Sequence, residues 1–129
     1  MSFRFPKKEK LKSRKLIELL FSEGRAITRF PLRLLYLETE LPKETQVQAA
    51  VTVSRKAFRN AVSRNRIKRL MRESYRLNKA LVFNNIEGNF AFLFLYLGKE
   101  MPTFNEVERS MQSLLKNFIA RKNDEEASK

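Results

Sequence analysis

The chain contains neither cysteine nor histidine. Without cysteine no disulfide forms, so nothing points to secretion. Zinc sites of the Cys/His kind are excluded, and no side chain has an unperturbed pKa near 7. Aspartate is almost as scarce, Asp124 being the only one. A nuclease or phosphatase gathers carboxylates around one or two metals, whereas the glutamates here are scattered. A Ser-His-Asp arrangement is impossible. The glycines, Gly24, Gly88 and Gly98, make no phosphate-cradling loop. The longest apolar run, FAFLFLYL from Phe90 to Leu97, falls far short of the roughly 20 residues that span a bilayer. The opening MSFRFPKKEK lacks the apolar core of a secretory signal. A cytoplasmic protein without its own catalytic centre is the expectation, with no membrane and no obligate protein partner.

What the chain has in excess is positive charge. It has 129 residues, 43% of them hydrophobic, and a formal net charge of +13. That suits one domain with one core and a polyanionic partner.

SRKLIELLFSEG reads as a first helix, with Ser13 as N-cap and Gly24 past its end. RFPLRLLYLE alternates as a strand with Phe30, Leu32, Leu34 and Tyr36 on one side; Pro31 suggests an edge or a bulge, and the stretch has room to split in two. LPKET is a polar turn. QVQAAVTVS is a strand with Val47, Ala49, Val51 and Val53 inward. A long helix follows from Asn60 or Ala61 to Val82. FAFLFLYL is apolar on both faces, as an inner strand covered on both sides would be. Thr103 to Glu106 has capping-box spacing, and Val107, Met111, Leu114, Leu115 and Phe118 mark a closing helix. The expected fold is α+β: helices packed on a mixed four-stranded sheet, with a β-α-β crossover carrying the long helix. The expected domain covers residues 1–122, with a flexible basic stretch at 1–10 and a disordered tail at 123–129.

The long helix holds most of the information. Stepping about 100° per residue gathers Ile67, Leu70, Met71, Ser74, Leu77 and Leu81 on one arc. Lys68, Arg69, Arg72, Arg76 and Lys79 fall opposite, with Arg64 and Arg66 nearer the boundaries. Charge runs are usually solvated faces, but two features count against that here. Like charges at i,i+4, such as Lys68 with Arg72, repel. Arg64 and Arg66 also sit in or near the first turn, where the helix dipole disfavours cations. A phosphate polyanion reverses both penalties. The excess of arginine over lysine fits a bidentate grip on phosphate. Glu73, the one acid there, suits an intrahelical pair with Arg69 or Arg76. An interfacial membrane helix needs its apolar face free for lipid, and the strands claim that face. No second helix stands at helix-turn-helix spacing, so RNA is favoured over DNA.

SRKAFRNAVSRNRIKRLMRESYR, Ser54 to Arg76, resembles the arginine-rich signature of the bacterial ribonuclease P protein family, with Arg64-Asn65-Arg66 as its RNR motif. LIELLFSEG, VTVSRK, the apolar strand and the closing helix extend the resemblance over most of the chain. It implies the fold of the second domain of ribosomal protein S5, with a left-handed crossover. It implies a subunit that binds a large catalytic RNA and the 5′ leader of precursor tRNA, and assists hydrolytic removal of that leader. Catalysis and the magnesium ions then belong chiefly to the RNA, with no organic cofactor. The implied RNA-contacting residues are Arg55, Lys56, Asn60, Arg64, Asn65, Arg66, Lys68, Arg69 and Arg72. The implied leader cleft, between the first helix and the sheet, involves Ile17, Phe21 and Tyr36. Ile17 departs from the aromatic ring common at its position, and Arg59 stands where glycine is frequent. The competing reading is a structural RNA-binding protein of the ribosome or its assembly.

Overall fold

The computed structural model describes residues 5–42 and 45–127. A 3-10 turn at Lys7–Glu9 leads into α1 (Arg14–Glu23), followed by β1 (Arg25–Arg29), β2 (Leu32–Glu38), β3 (Val47–Val53), α2 (Ala61–Phe83), β4 (Phe90–Tyr96) and α3 (Phe104–Ala127). The sheet order is β1-β2-β4-β3. β1 and β2 are antiparallel, β2 and β4 are antiparallel, and β3 and β4 are parallel. β3-α2-β4 is therefore a crossover unit, and the mixed sheet expected from the sequence is present.

Local chemistry sets the element boundaries. Ser13 Oγ accepts from Leu16 N–H at 3.2 Å and opens α1. Gly24 closes it by donating to Leu20 O at 2.9 Å. A Cβ at Gly24 would lie 2.3 Å from that oxygen, so only glycine fits. Gly88, at φ +93°, makes the left-handed turn between α2 and β4. Thr103 Oγ1 accepts from Glu106 N–H at 3.2 Å and starts α3.

The sheet carries two cores. On one face Leu32, Leu34, Tyr36, Phe92 and Phe94 meet Ile67, Met71 and Tyr75 of α2 and Met111, Leu114 and Phe118 of α3. On the other face Leu20 of α1, Leu11, Ala91 and Leu93 form a smaller cluster. β4 lies between β2 and β3 and is covered on both faces, which is why its sequence does not alternate.

Several expectations need correction. β1 has the burial of a five-residue edge strand with only Ile27 inward. Phe30, expected inward, stands 74% exposed in the turn between β1 and β2. On α2 the buried set includes Tyr75, Asn78, Lys79 and Val82, while Leu77 is exposed. Lys79 therefore leaves the cationic face: its Nζ meets Glu9 Oε1 at 2.7 Å, with both groups buried. Residues 5–10 are packed rather than loose, because Phe5 lies on Tyr75 with ring centroids 5.4 Å apart and Leu11 N–H donates to Ala49 O. α3 runs through residues 123–127, where a tail was expected, because Glu125 joins Arg25 and Lys122. The expectations for residues 1–4, the middle of the LPKET turn at 43–44, and residues 128–129 lie outside the described residues.

Candidate nucleic-acid interface

The link from β3 to α2 is built from its own side chains. Ser54 Oγ accepts from Lys56 N–H at 3.1 Å and Ala57 N–H at 3.4 Å. Phe58 packs on Tyr96 at 5.9 Å between centroids. Asn60 Oδ1 accepts from Val62 N–H at 2.8 Å and caps α2. Arg64 reaches back from the first turn, its Nη1 donating to Phe58 O at 2.7 Å and Arg59 O at 2.9 Å. Two residues of the expected RNA set, Asn60 and Arg64, therefore also hold the loop that presents Arg55, Lys56 and Arg59 to solvent.

Along α2, Asn65, Arg66, Arg69 and Arg72 are exposed and Lys68 is half-exposed. Arg55, Lys56, Asn65, Arg66, Arg69 and Arg72 of the expected RNA-contacting set are thus exposed on the 54–60 loop and α2, whereas Arg64 turns its guanidinium into the loop backbone. Glu73 bonds Arg76, the i+3 choice of the two pairings considered. The hydrogen bond from Arg76 holds the Glu73 carboxyl below its ordinary value. Inside the helix, burial, followed by the charge of Glu9, pushes the Tyr75 hydroxyl up, so it stays neutral.

The expected leader-cleft residues do not come together. Ile17 packs half-buried at the edge of the smaller core, and Phe21, on the same helix, is 59% exposed. Tyr36 lies on the opposite sheet face, 3% exposed and edge-on to Phe118 at 4.9 Å. Strand alternation decides this: Leu35 and Leu37 face α1, so Tyr36 must face away. Beside α1, Ala50 and Thr52 of β3 and Leu95 of β4 are half-exposed. Alternation puts them on the α1 side of the sheet, the side that Tyr36 does not face.

Among the described residues, no group of three or more acids lies close enough to hold a metal ion. No described helix is long and apolar enough to cross a membrane. A predominantly basic helix face and an exposed basic loop on a mixed sheet define a class of small α+β protein suited to a polyanionic partner.

Similarity to known proteins narrows that class. The Ribonuclease P family model matches residues 5–119. The ribonuclease P protein component of Porphyromonas gingivalis is 38% identical over 117 residues, covering 88% of this chain and 85% of the relative. That of Chlorobaculum tepidum is 32% identical over 127 residues, covering 89% and 82%. The ribonuclease P protein of Thermotoga maritima superposes with a TM-score of 0.69 at 26% identity, covering 84% of this chain and 96% of that one. The Staphylococcus aureus protein, at 20% identity and a TM-score of 0.69 over 90% of this chain and 98% of its own, shares the fold. The chain belongs to the ribonuclease P protein family.

Proposed function

We propose that the chain acts as the protein subunit of ribonuclease P, binding the enzyme's catalytic RNA and precursor tRNA in the cytoplasm. Ribonuclease P is a ribonucleoprotein endoribonuclease of tRNA 5′ processing, and family membership gives the chain that role. The observation that carries the RNA-binding part is the excess of cations on the outer side of α2, where Glu73 is the one acid and is paired with Arg76. Arg66, Lys68, Arg69 and Arg72 neutralise backbone phosphates and release counterions. The first turn of α2, capped by Asn60, adds its dipole. The protein contributes grip and position. Magnesium and the hydrolytic step are assigned to the RNA, and the described residues offer no acid cluster for the ion.

The test is cleavage of 5′-labelled precursor tRNA at low magnesium by protein, by a bacterial ribonuclease P RNA, and by both. Cutting at the mature 5′ end only with both, or far faster with both, supports the proposal. No enhancement with a cognate RNA would favour a general RNA-binding protein. For the leader, Phe21→Ala should cost about 1–3 kcal/mol on long-leader substrates, the usual worth of one base stack. Leaderless substrates should be spared. Equal losses on both would remove Phe21 from leader binding.

A further inference from the structure

The N-terminal strap, residues 5–11, docks along β3 and α2 through several independent interactions. Leu11 N–H donates to Ala49 O at 2.9 Å, and Gln48 Nε2 donates to Lys8 O at 3.1 Å. Phe5 rests on Tyr75, and Glu9 meets Lys79 inside the protein. A buried ion pair is a costly fastener, because both charges must be desolvated. It does, however, resist a shift of the strap, since moving Glu9 from beside Lys79 would forfeit the attraction that offsets the desolvation of both charges.

That position has a chemical consequence. Phe5 and Lys10 come to the flank of α2 and, with Asn65, Arg69, Arg72 and the Glu73–Arg76 pair, line a pocket of about 450 Å³. Among the described residues no carboxylate pairs with Lys10, Arg69 or Arg72. Three cations from two separate segments therefore converge on one pocket, beside an amide that can donate. Their mutual repulsion opposes strap docking, and a bound anion would reverse its sign. The pocket also has room for more than a lone phosphate.

We propose that this pocket is a phosphodiester-binding subsite, in which Lys10 of the strap touches the same RNA strand as Arg69 and Arg72. Glu9 and Lys79 are its positioning residues. The inference rests on the RNA-binding reading above and extends it from α2 to the strap. The phosphodiester belongs either to the catalytic RNA or to precursor tRNA, and the test separates the two.

The full chain is titrated against ribonuclease P RNA, and the assembled complex against precursor tRNA, each over a salt series. Lys10→Ala should weaken one of the two by about fivefold and lower its salt slope by roughly 0.7–0.9, as expected when one phosphate is no longer neutralised. Lys8→Ala, an exposed lysine outside the pocket, should change both far less. Lys10→Ala and Arg69→Ala together should lose less than the sum of the two singly, because they share one strand. Glu9→Gln should reproduce the Lys10→Ala loss. Glu9→Gln with Lys79→Met, which removes both buried charges, should restore affinity. Arg66→Ala, outside the pocket, reports on the broader reading. If Arg66→Ala weakens binding while Lys10→Ala does not, or does so no more than Lys8→Ala, the subsite is refuted and the broader reading stands. If Arg66→Ala is also silent, both fail. If Glu9→Gln leaves affinity intact, the positioning role is refuted.

Discussion

α2 and α3 lie side by side on the same face of the sheet and bury the same kind of surface. Their outer sides differ. α3 mixes signs, and its polar groups are engaged by neighbouring strands. Arg29 of β1 reaches Ser113 and Asn117, Arg121 donates to Ala26 O at 3.1 Å, and Glu125 pairs with Arg25. Lys122 lies 3.7 Å from Glu38. α2 carries Arg66, Lys68, Arg69 and Arg72 toward solvent with a single acid, Glu73, which one arginine occupies. Packing asks the same of both helices, so it cannot explain the difference. The charge of α3 ties down β1, and Arg64 and Lys79 of α2 likewise hold the loop and the strap. Arg66, Lys68, Arg69 and Arg72, by contrast, make no side-chain hydrogen bond or ion pair among the described residues.

The largest expected effect tests whether the inner sides are equivalent. Met71 and Met111 are both fully buried in the same core. Each cut to alanine should cost about 2–5 kcal/mol in chemical denaturation. A much smaller loss for Met71 would mean that α2 is held by its loop and strap, and the parallel with α3 would break.

The next effect separates the outer sides. Lys68→Ala with Arg72→Ala should flatten the salt dependence of RNA affinity by roughly 0.7–0.9 for each phosphate that is no longer neutralised. Fold stability should stay within about 0.5 kcal/mol, as for other surface changes. Arg109→Ala with Lys116→Ala, two exposed cations of α3, the second beside the C-terminal half of α2 rather than its arginine-rich half, should leave the slope almost unchanged. Similar slopes for the two pairs would mean that net charge, not a particular face, governs binding.

The same contrast explains what was legible in the sequence. The helices, the doubly covered β4 and the outer set on α2 follow from periodicity and from charge of one sign. The remaining pieces each depend on a partner distant in sequence. β1 has one inward residue, Ile27, and so no alternation to read. Lys79 looks like one more cation on α2 until Glu9, 70 residues earlier, arrives beside it. The tail of α3 reads as polar and loose because Arg25, which holds Glu125, lies on another element. Tyr36 was misplaced for a different reason. The strand pattern already put it in phase with Leu34, and the resemblance moved it into a cleft on the other face.

The smallest expected effect concerns the Glu73–Arg76 ion pair on the outer side of α2. The Glu73 carboxyl is held below its ordinary 4.5 by Arg76. A depressed carboxyl stabilises the fold above its unfolded pKa, and that contribution is lost as pH falls through the lower folded value. The window therefore lies below about pH 4.5. Solvent screens the pair, which keeps its worth small. Arg76→Gln should remove that small part of the acid limb of a stability–pH curve, and high salt should mask the difference. An Arg76→Gln loss of stability at neutral pH as large as that of Met71→Ala would show Arg76 to be a structural residue. Arg76 would then join Arg64 and Lys79 as a cation of α2 that holds the fold, and the contrast with α3 would narrow to Arg66, Lys68, Arg69 and Arg72.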